Sequence, residues 1–174
     1  MKKLLFIILT IFVLTTTYGC DNTTETDKAK ETVDNFFAAL KDADFKTAAD
    51  FVLSEEQEQM RNTEWNDDFE KTFMETYLSK ISAKYISGEI ENDKSEGSLM
   101  YNFKTMNMGE YVNKVGLKNP TIEGGVPQIK DVDVDSIEMV ELEKSVLLKK
   151  DGDKWLIANV NDVMNAIMEF KAGE

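Results

Sequence analysis

The spacing of apolar residues changes once along this chain, near Lys84, and that change limits the folds it can adopt. Before this point apolar residues recur every three or four positions, most clearly in the stripe Trp65, Phe69, Phe73 and Tyr77, which is typical of a helix with one buried face. After it they alternate with polar residues, as in strands with one buried face. Helices followed by antiparallel strands predict an α+β fold, with N-terminal helices packed on a curved antiparallel sheet.

Periodicity and capping residues place the helices along the chain. The N-caps predicted are Asp44, Ser54 (within a capping-box sequence) and Asn161, because short polar side chains bind the free N–H groups of a helix start. The predicted helices are Lys28 to Leu40, Phe45 to Val52, a turn or two after Ser54, about Glu64 to Ala83, Gly109 to Leu117, and a final helix from Asn161 that includes Phe170.

Alternation and turn residues place the strands. Strands are predicted around Tyr85 to Ile90 and Leu99 to Lys104, with turn residues between them. The prolines and glycines from Asn119 to Pro127 indicate a loop, and the strand layout between Asn107 and Ile137 stays undetermined. From Gln128 the chain is predicted to be extended again, and Asp151-Gly152 is predicted to be a two-residue hairpin turn before a strand from Lys154 to Val160.

Composition excludes several classes of function. The chain has no His and one Cys, so imidazole bases, Ser-His or Cys-His nucleophiles and an intramolecular disulfide are excluded, and we expect no metal or other cofactor. There are 20 Lys and Arg against 33 Asp and Glu, a net charge of −13. Such a surface repels nucleic acid and anionic lipid, so neither is an expected partner of the folded domain.

The N-terminus has the three parts of a secretory leader. Met1-Lys2-Lys3 is basic, Leu4 to Leu14 is apolar, and Thr15 to Gly19 leads to a cleavage site. An apolar run of 11 residues is shorter than the ~20 that a transmembrane helix needs. The sequence therefore predicts a signal peptide over residues 1–19 and an exported domain outside the cytoplasm.

Gly19-Cys20 then resembles the cleavage site of bacterial lipoprotein precursors. The resemblance implies that the cut falls before Cys20 and that its thiol carries diacylglycerol, which anchors the chain in the cell membrane. Thr17 and Tyr18 depart from the residues usual at these positions, so cleavage by the ordinary signal peptidase, leaving a free thiol, is the alternative. Polar residues 20–27 would then be the lipidated cysteine and its tether, and residues 28–174 a single α+β domain.

Three groups of side chains are candidates for binding. The aromatic stripe Trp65, Phe69, Phe73 and Tyr77 could line a pocket together with Tyr101, Phe103 and Trp155, or it could simply pack on the sheet. Asp131, Asp133 and Asp135 have the spacing of an EF-hand calcium loop, but the segment lacks the glycine and glutamate that the loop needs. The three carboxylates are therefore predicted to line the solvent face of a strand. Met100, Met106 and Met108 without His are more typical of core filler than of copper ligands.

Two segments resemble the nuclear transport factor 2-like (cystatin-like) superfamily. They are ETVDNFFAALKDADFKTAADFV, similar to its opening helix pair, and VLLKKDGDKWLIANV, similar to its terminal hairpin. The resemblance implies a cone of sheet and helices that can enclose an apolar pocket, a fold that uncharacterised bacterial envelope lipoproteins share. Enzymes of this superfamily hold an Asp in that pocket, and Asp44, Asp50 and Asp67 lie near apolar faces here.

These observations favour a lipid-anchored envelope lipoprotein with a non-catalytic domain that binds a small apolar ligand or another envelope protein. Its partners would be the membrane, through the N-terminal lipid, and that ligand or protein. One alternative is a pocket enzyme of isomerase or dehydratase type. The other is a structural or immunity-type surface protein whose acidic face meets a basic partner.

Overall fold

The computed structural model describes residues 24–116, 121–123, 126–128 and 132–168, and for the two three-residue stretches it describes the backbone alone. The leader, Gly19, Cys20, Asp131 and Phe170 lie outside the described residues. Six α-helices are described: α1 (Glu25–Lys41), α2 (Phe45–Ala48), α3 (Ser54–Arg61), α4 (Asp68–Leu78), α5 (Met108–Lys114) and α6 (Val160–Met168). None of these helices is long and apolar enough to cross a bilayer.

The strands form one main sheet and one small ribbon. They are β1 (Ser82–Ser87), β2 (Glu96–Met106), β3 (Thr121–Glu123), β4 (Val126–Gln128), β5 (Met139–Asp151) and β6 (Lys154–Ile157). Four of them make an antiparallel sheet in the order β1-β2-β5-β6, and β3 pairs with β4 alone. Helices packed on an antiparallel sheet confirm the predicted α+β class.

The core lies between α1 and one face of this sheet. Leu99, Tyr101 and Phe103 of β2 alternate along the strand, and all three are buried. Phe37 of α1 meets Phe103 with ring centroids 4.9 Å apart. The face predicted to be buried from the alternating residues of β2 is therefore confirmed.

The first helix begins three residues before the predicted Lys28. Thr24 is its N-cap and forms a capping box with Asp27, in which the Thr24 side chain accepts from the Asp27 N–H and the Asp27 carboxylate binds the Thr24 backbone. This signal lies in the polar segment that was predicted to be tether. Residues 25–27 consequently belong to the folded domain.

The helix that carries the aromatic stripe was predicted from about Glu64 to Ala83. The observed helix, α4, is shorter: it begins at Asp68 and ends at Leu78. Asp67 is the N-cap of this helix, because its carboxylate accepts from the Glu70 N–H at 2.7 Å. Trp65 therefore precedes the helix, and the chain has already entered β1 by Ser82.

Of the three predicted N-caps, only Asp44 is confirmed, because its carboxylate accepts from the Thr47 N–H at 3.0 Å. Helix α3 has Leu53 at its N-cap and no side-chain cap bond, so the predicted role of Ser54 is wrong. Helix α6 begins at Val160, before Asn161. The preceding Asn159 instead ties the helix start to β5, accepting from the Leu147 N–H at 2.9 Å.

Three loop and strand predictions are also corrected. The predicted loop contains the β3–β4 ribbon, in which Ile122 pairs with Pro127. The segment at Asp133 is a 3₁₀ turn over Val134–Ser136 and not a strand, because the Asp133 carboxylate accepts from the Asp135 N–H and competes with sheet pairing. The hairpin turn lies one residue later than predicted.

The last hairpin has Asp151 paired with Lys154, so its central residues are Gly152 and Asp153. Gly152 has φ +60°, a conformation that favours glycine, and this explains its place in the turn. Strand β6 then ends at Ile157 and not at Val160, because the chain enters α6.

Candidate functional site

The seven aromatic residues predicted to line a pocket lie in two environments. Tyr77, Tyr101, Phe103 and Trp155 are buried. Trp65, Phe69 and Phe73 are half-buried at the ends and edges of the helical layer. The stripe and the sheet residues therefore do not form one continuous wall.

Most of these side chains are occupied by specific contacts. The Tyr77 hydroxyl donates to the Ile167 carbonyl and accepts from the Thr105 hydroxyl, both at 2.7 Å. Phe73 stacks on Tyr111 with ring centroids 4.7 Å apart, and Trp65 meets the ring of Phe45 edge-on at 5.5 Å. These contacts bind helices to each other and to the sheet.

Tyr101 differs from the other buried aromatic residues. Its hydroxyl is buried and has no hydrogen-bond partner among the described residues, whereas buried polar groups are nearly always paired. Burial raises the pKa of Tyr101, and the nearby Asp34 carboxylate raises it further. Burial also raises the pKa of Asp34, which lies on α1. Asp34 is itself exposed, so Tyr101 is the one buried member of this pair.

The two tyrosines give a matched test of this difference. Tyr77→Phe removes a hydroxyl with two buried partners, so we expect the free energy of unfolding to fall by about 1–3 kcal/mol. Tyr101→Phe removes a buried hydroxyl without a partner, so we expect the free energy of unfolding to rise by about 1 kcal/mol. Urea unfolding of both variants measures the two signs. A loss of stability in Tyr101→Phe would contradict the unpaired state of its hydroxyl.

Two larger clefts on the surface are polar and open. One, of about 430 Å³, lies between α1 and β6, with Thr32, Asn35 and Trp155 among its lining residues. The other, of about 500 Å³, lies on the outer face of the sheet beside Ile86, Asn102 and Glu143. Both lack the enclosed apolar walls that hold small-molecule ligands.

A smaller cleft between α2, α3 and α6 is lined by apolar and polar side chains in equal number. Its volume is about 110 Å³. Among the side chains that line it is Glu56, whose Oε2 is buried and has no hydrogen-bond partner among the described residues. The cleft is lined by Phe45, Met60, Val160 and Met164, and by the polar residues Glu56, Gln59, Thr63 and Asn161.

The carboxylates singled out in the sequence have structural roles. Asp44 and Asp67 cap helices, and Asp50 binds the Arg61 guanidinium at 2.5 Å. Asp133 caps its 3₁₀ turn, while Asp135 pairs with the Lys80 ammonium at 2.6 Å. Among residues 24–116 and 132–168, no three acidic side chains lie close enough together to hold a metal ion.

The methionines are also accounted for by packing. Met106 and Met108 are buried in the core, and Met100 is half-buried on the opposite face of β2 from Tyr101. Met106 and Met108 line a cleft of about 20 Å³ beside α6, which has room for about one water molecule.

Glu25 forms the most strongly connected ionic group in the described chain. Its carboxylate accepts from the Lys150 ammonium at 2.7 Å, the Lys28 ammonium at 2.8 Å and the Trp155 indole N–H at 2.9 Å. The hydrogen bonds from Lys150, Lys28 and Trp155, in that order of effect, lower the pKa of Glu25 from 4.5 to about 2. This residue joins the first turn of α1 to the β5–β6 hairpin.

Comparison with known proteins finds solved structures with low similarity to this chain. No known protein family and no curated protein sequence matches the chain. A structure assigned as a calcium/calmodulin-dependent protein kinase II association domain from Xanthomonas campestris matches with a TM-score of 0.38 and 17% identity, over 76% of this chain and 82% of that one. A structure assigned as a SnoaL-like polyketide cyclase from Jannaschia sp. CCS1 matches with a TM-score of 0.39 and 14% identity, over 82% and 92%. At these values the similarity says nothing about activity.

Proposed function

We propose that this protein is a lipid-anchored cell-envelope lipoprotein whose acidic, non-catalytic domain binds another envelope protein. The leader and Gly19-Cys20 support the anchor, and the net charge of −13 supports a basic partner surface. Removing Lys2 and Lys3 with the leader leaves 18 basic against 33 acidic residues, a charge of −15.

The observation that carries the choice of a protein over a small apolar ligand is the packing of the aromatic side chains. Tyr77 and Trp155 are fixed by hydrogen bonds, and Phe37 and Phe103 fill the space between α1 and the sheet. The apolar cleft at Glu56, of about 110 Å³, is well below the ~300 Å³ at which small-molecule pockets begin. Protein partners, in contrast, bind to open surfaces and to small pockets that each hold one side chain of the partner.

The position of α1 supports a partner in the same layer of the envelope. Five residue steps separate Cys20 from Glu25, where α1 begins, and an extended chain spans at most ~3.5 Å per residue. The first turn of the domain would therefore stay within about 17 Å of the lipidated cysteine. A domain held so close to the membrane surface meets proteins that are themselves at that surface.

Native mass spectrometry of the full chain, extracted from its own envelope in mild detergent, tests the proposal. We expect a complex with a second protein that dissociates as salt is raised, because screening weakens contacts between opposite charges. A bare chain, or a chain carrying only a small molecule, would contradict it. A salt-insensitive complex would contradict the electrostatic part.

A pocket enzyme is the second candidate. It is favoured by the Tyr101 hydroxyl, which has no hydrogen-bond partner among the described residues and lies near Asp34. Burial and the Asp34 carboxylate raise the pKa of Tyr101, as the pKa of groups that move protons in enzymes is often shifted. Crystals soaked with a set of cyclic ketones and phenols test it. Density of a soaked compound at the Tyr101 hydroxyl would favour the enzyme, whereas a Tyr101 hydroxyl that contacts no compound would count against it.

A further inference from the structure

We propose that the cleft between α2, α3 and α6 receives one lysine side chain from a basic segment of a partner protein. This inference rests on the proposed function, since it names the chemistry by which the domain would recognise its partner. It is carried by the size of the cleft, by the apolar residues in its lining, and by the buried Glu56 Oε2, which has no hydrogen-bond partner among the described residues.

The volume of the cleft selects a single side chain. About 110 Å³ is well below the ~300 Å³ at which small-molecule pockets begin, and is the scale of one long side chain. A cofactor or lipid chain would need several times this space.

The lining of the cleft matches the two parts of a lysine side chain. Phe45, Met60 and Met164 offer apolar surface for the four-carbon stem. The buried Glu56 Oε2 has room for a hydrogen bond that no described residue supplies. An ammonium group supplies that bond and pairs the charge at the same time, which removes the cost of an unsatisfied buried acceptor.

The acidic residues of α3 beside the cleft favour a cation. Helix α3 carries Glu55, Glu56 and Glu58 in its first half, and its Arg61 is bound to Asp50 at 2.5 Å. No residue of α3 is buried, so the helix can adjust to an incoming side chain with little loss of packing.

Binding of short peptides to the full chain in detergent micelles tests the proposal. The probe is the peptide acetyl-Ala-Lys-Ala-amide, and the readout is the methyl NMR signals of Met60 and Met164, which line the cleft. We expect both signals to shift and saturate with the lysine peptide. The same peptide with norleucine, which keeps the stem and lacks the charge, should bind at least about 10-fold more weakly, since losing a charge-assisted hydrogen bond costs that much.

Glu56→Gln and Glu58→Gln form the matched pair of variants. Each removes one negative charge from α3, and Glu56 lines the cleft whereas Glu58 is exposed. We expect Glu56→Gln to abolish the shifts of Met60 and Met164, and Glu58→Gln to keep them. Equal loss of the peptide-induced shifts in both variants would show that the peptide is attracted by the overall negative charge, and would overturn the site.

The remaining outcomes also decide the question. Three results would each overturn a lysine-binding site. They are equal binding of the norleucine and lysine peptides, tighter binding of the matching arginine peptide, and the absence of a saturable shift in the Met60 and Met164 signals. A partner complex in native mass spectrometry together with any of these results would reject the lysine site and keep the proposed function. Lysine binding without a partner complex would keep the lysine site and reject the proposed function.

Discussion

Replacing Glu25 with Gln is expected to lower the melting temperature by several degrees, more than any other single polar change proposed for this domain. The Glu25 side chain is nearly buried, at 11% exposure, and its carboxylate binds Lys150, Lys28 and the Trp155 indole N–H. Glutamine keeps the shape but removes the charge, so the charge-assisted hydrogen bonds from Lys150 and Lys28 to this side chain are weakened. The first turn of α1 and the β5–β6 hairpin then lose their connection.

The same interaction predicts how stability depends on pH. The pKa of Glu25 is about 2 in the folded protein against 4.5 as the ordinary value. A lowered folded pKa means that the contribution is fully present above about 4.5 and is lost as the pH falls from about 4.5 toward 2. The difference in melting temperature between the original chain and Glu25→Gln should therefore shrink across this interval.

Thermal unfolding followed by circular dichroism between pH 7 and pH 2 measures both effects. Glu31→Gln is the control, because Glu31 is exposed on the same helix and should change the melting temperature little. A Glu25→Gln variant as stable as the original chain at neutral pH would contradict the assigned contacts. A difference that does not change down to pH 2 would contradict the lowered pKa.

Replacing Cys20 with Ser is expected to remove all lipid from the protein. Lipidation forms a thioether on the cysteine sulfur, and Cys20 is the single Cys of the chain, so no second thiol can substitute for it. Cells fed an alkyne analogue of palmitate should label the original chain and leave Cys20→Ser without label. In-gel fluorescence after coupling to a dye measures the difference.

A second variant separates the anchor from export itself. The leader is exchanged for one with an ordinary secretory cleavage site and Cys20 is changed to Ser, so the domain can leave the membrane after cleavage. We expect this protein in the soluble fraction, because a single polar domain without acyl chains has no apolar anchor. Equal labelling of Cys20→Ser would contradict lipidation at this residue, and membrane retention of the second variant would contradict the anchor.

The predictions that succeeded depend on signals contained within a few residues. The alternation of Leu99, Tyr101 and Phe103 identified the buried face of β2, because successive strand residues point to opposite faces. Asp44 was recognised as a cap because capping depends on a backbone N–H only three residues away. The order of helices and strands followed from such local signals.

The predictions that failed have both distant and local causes. Asn159 and Asn161 have the same capping chemistry, and contact with β5 decides which of them lies at the helix start. The Asp133 carboxylate accepts from the Asp135 N–H, two residues further on, where hydrophobic alternation predicted a strand.

The candidate site was the least predictable part. The SEEQ sequence containing Glu56 was interpreted as a capping box, and its cleft exists only because α6 folds against α2 and α3. Asp34 lies on the polar face of α1, where nothing in the sequence separates it from solvated acids. Glu25 finds Lys150 and Trp155 across more than a hundred residues, which no spacing rule reveals.

The intact mass of the mature N-terminus, measured on protein extracted from membranes, tests the anchor most directly. The account predicts a chain that begins at Cys20 and carries diacylglycerol on its sulfur. An unmodified chain beginning at Cys20 in the secreted fraction, or a chain that retains residues 1–19, would contradict it.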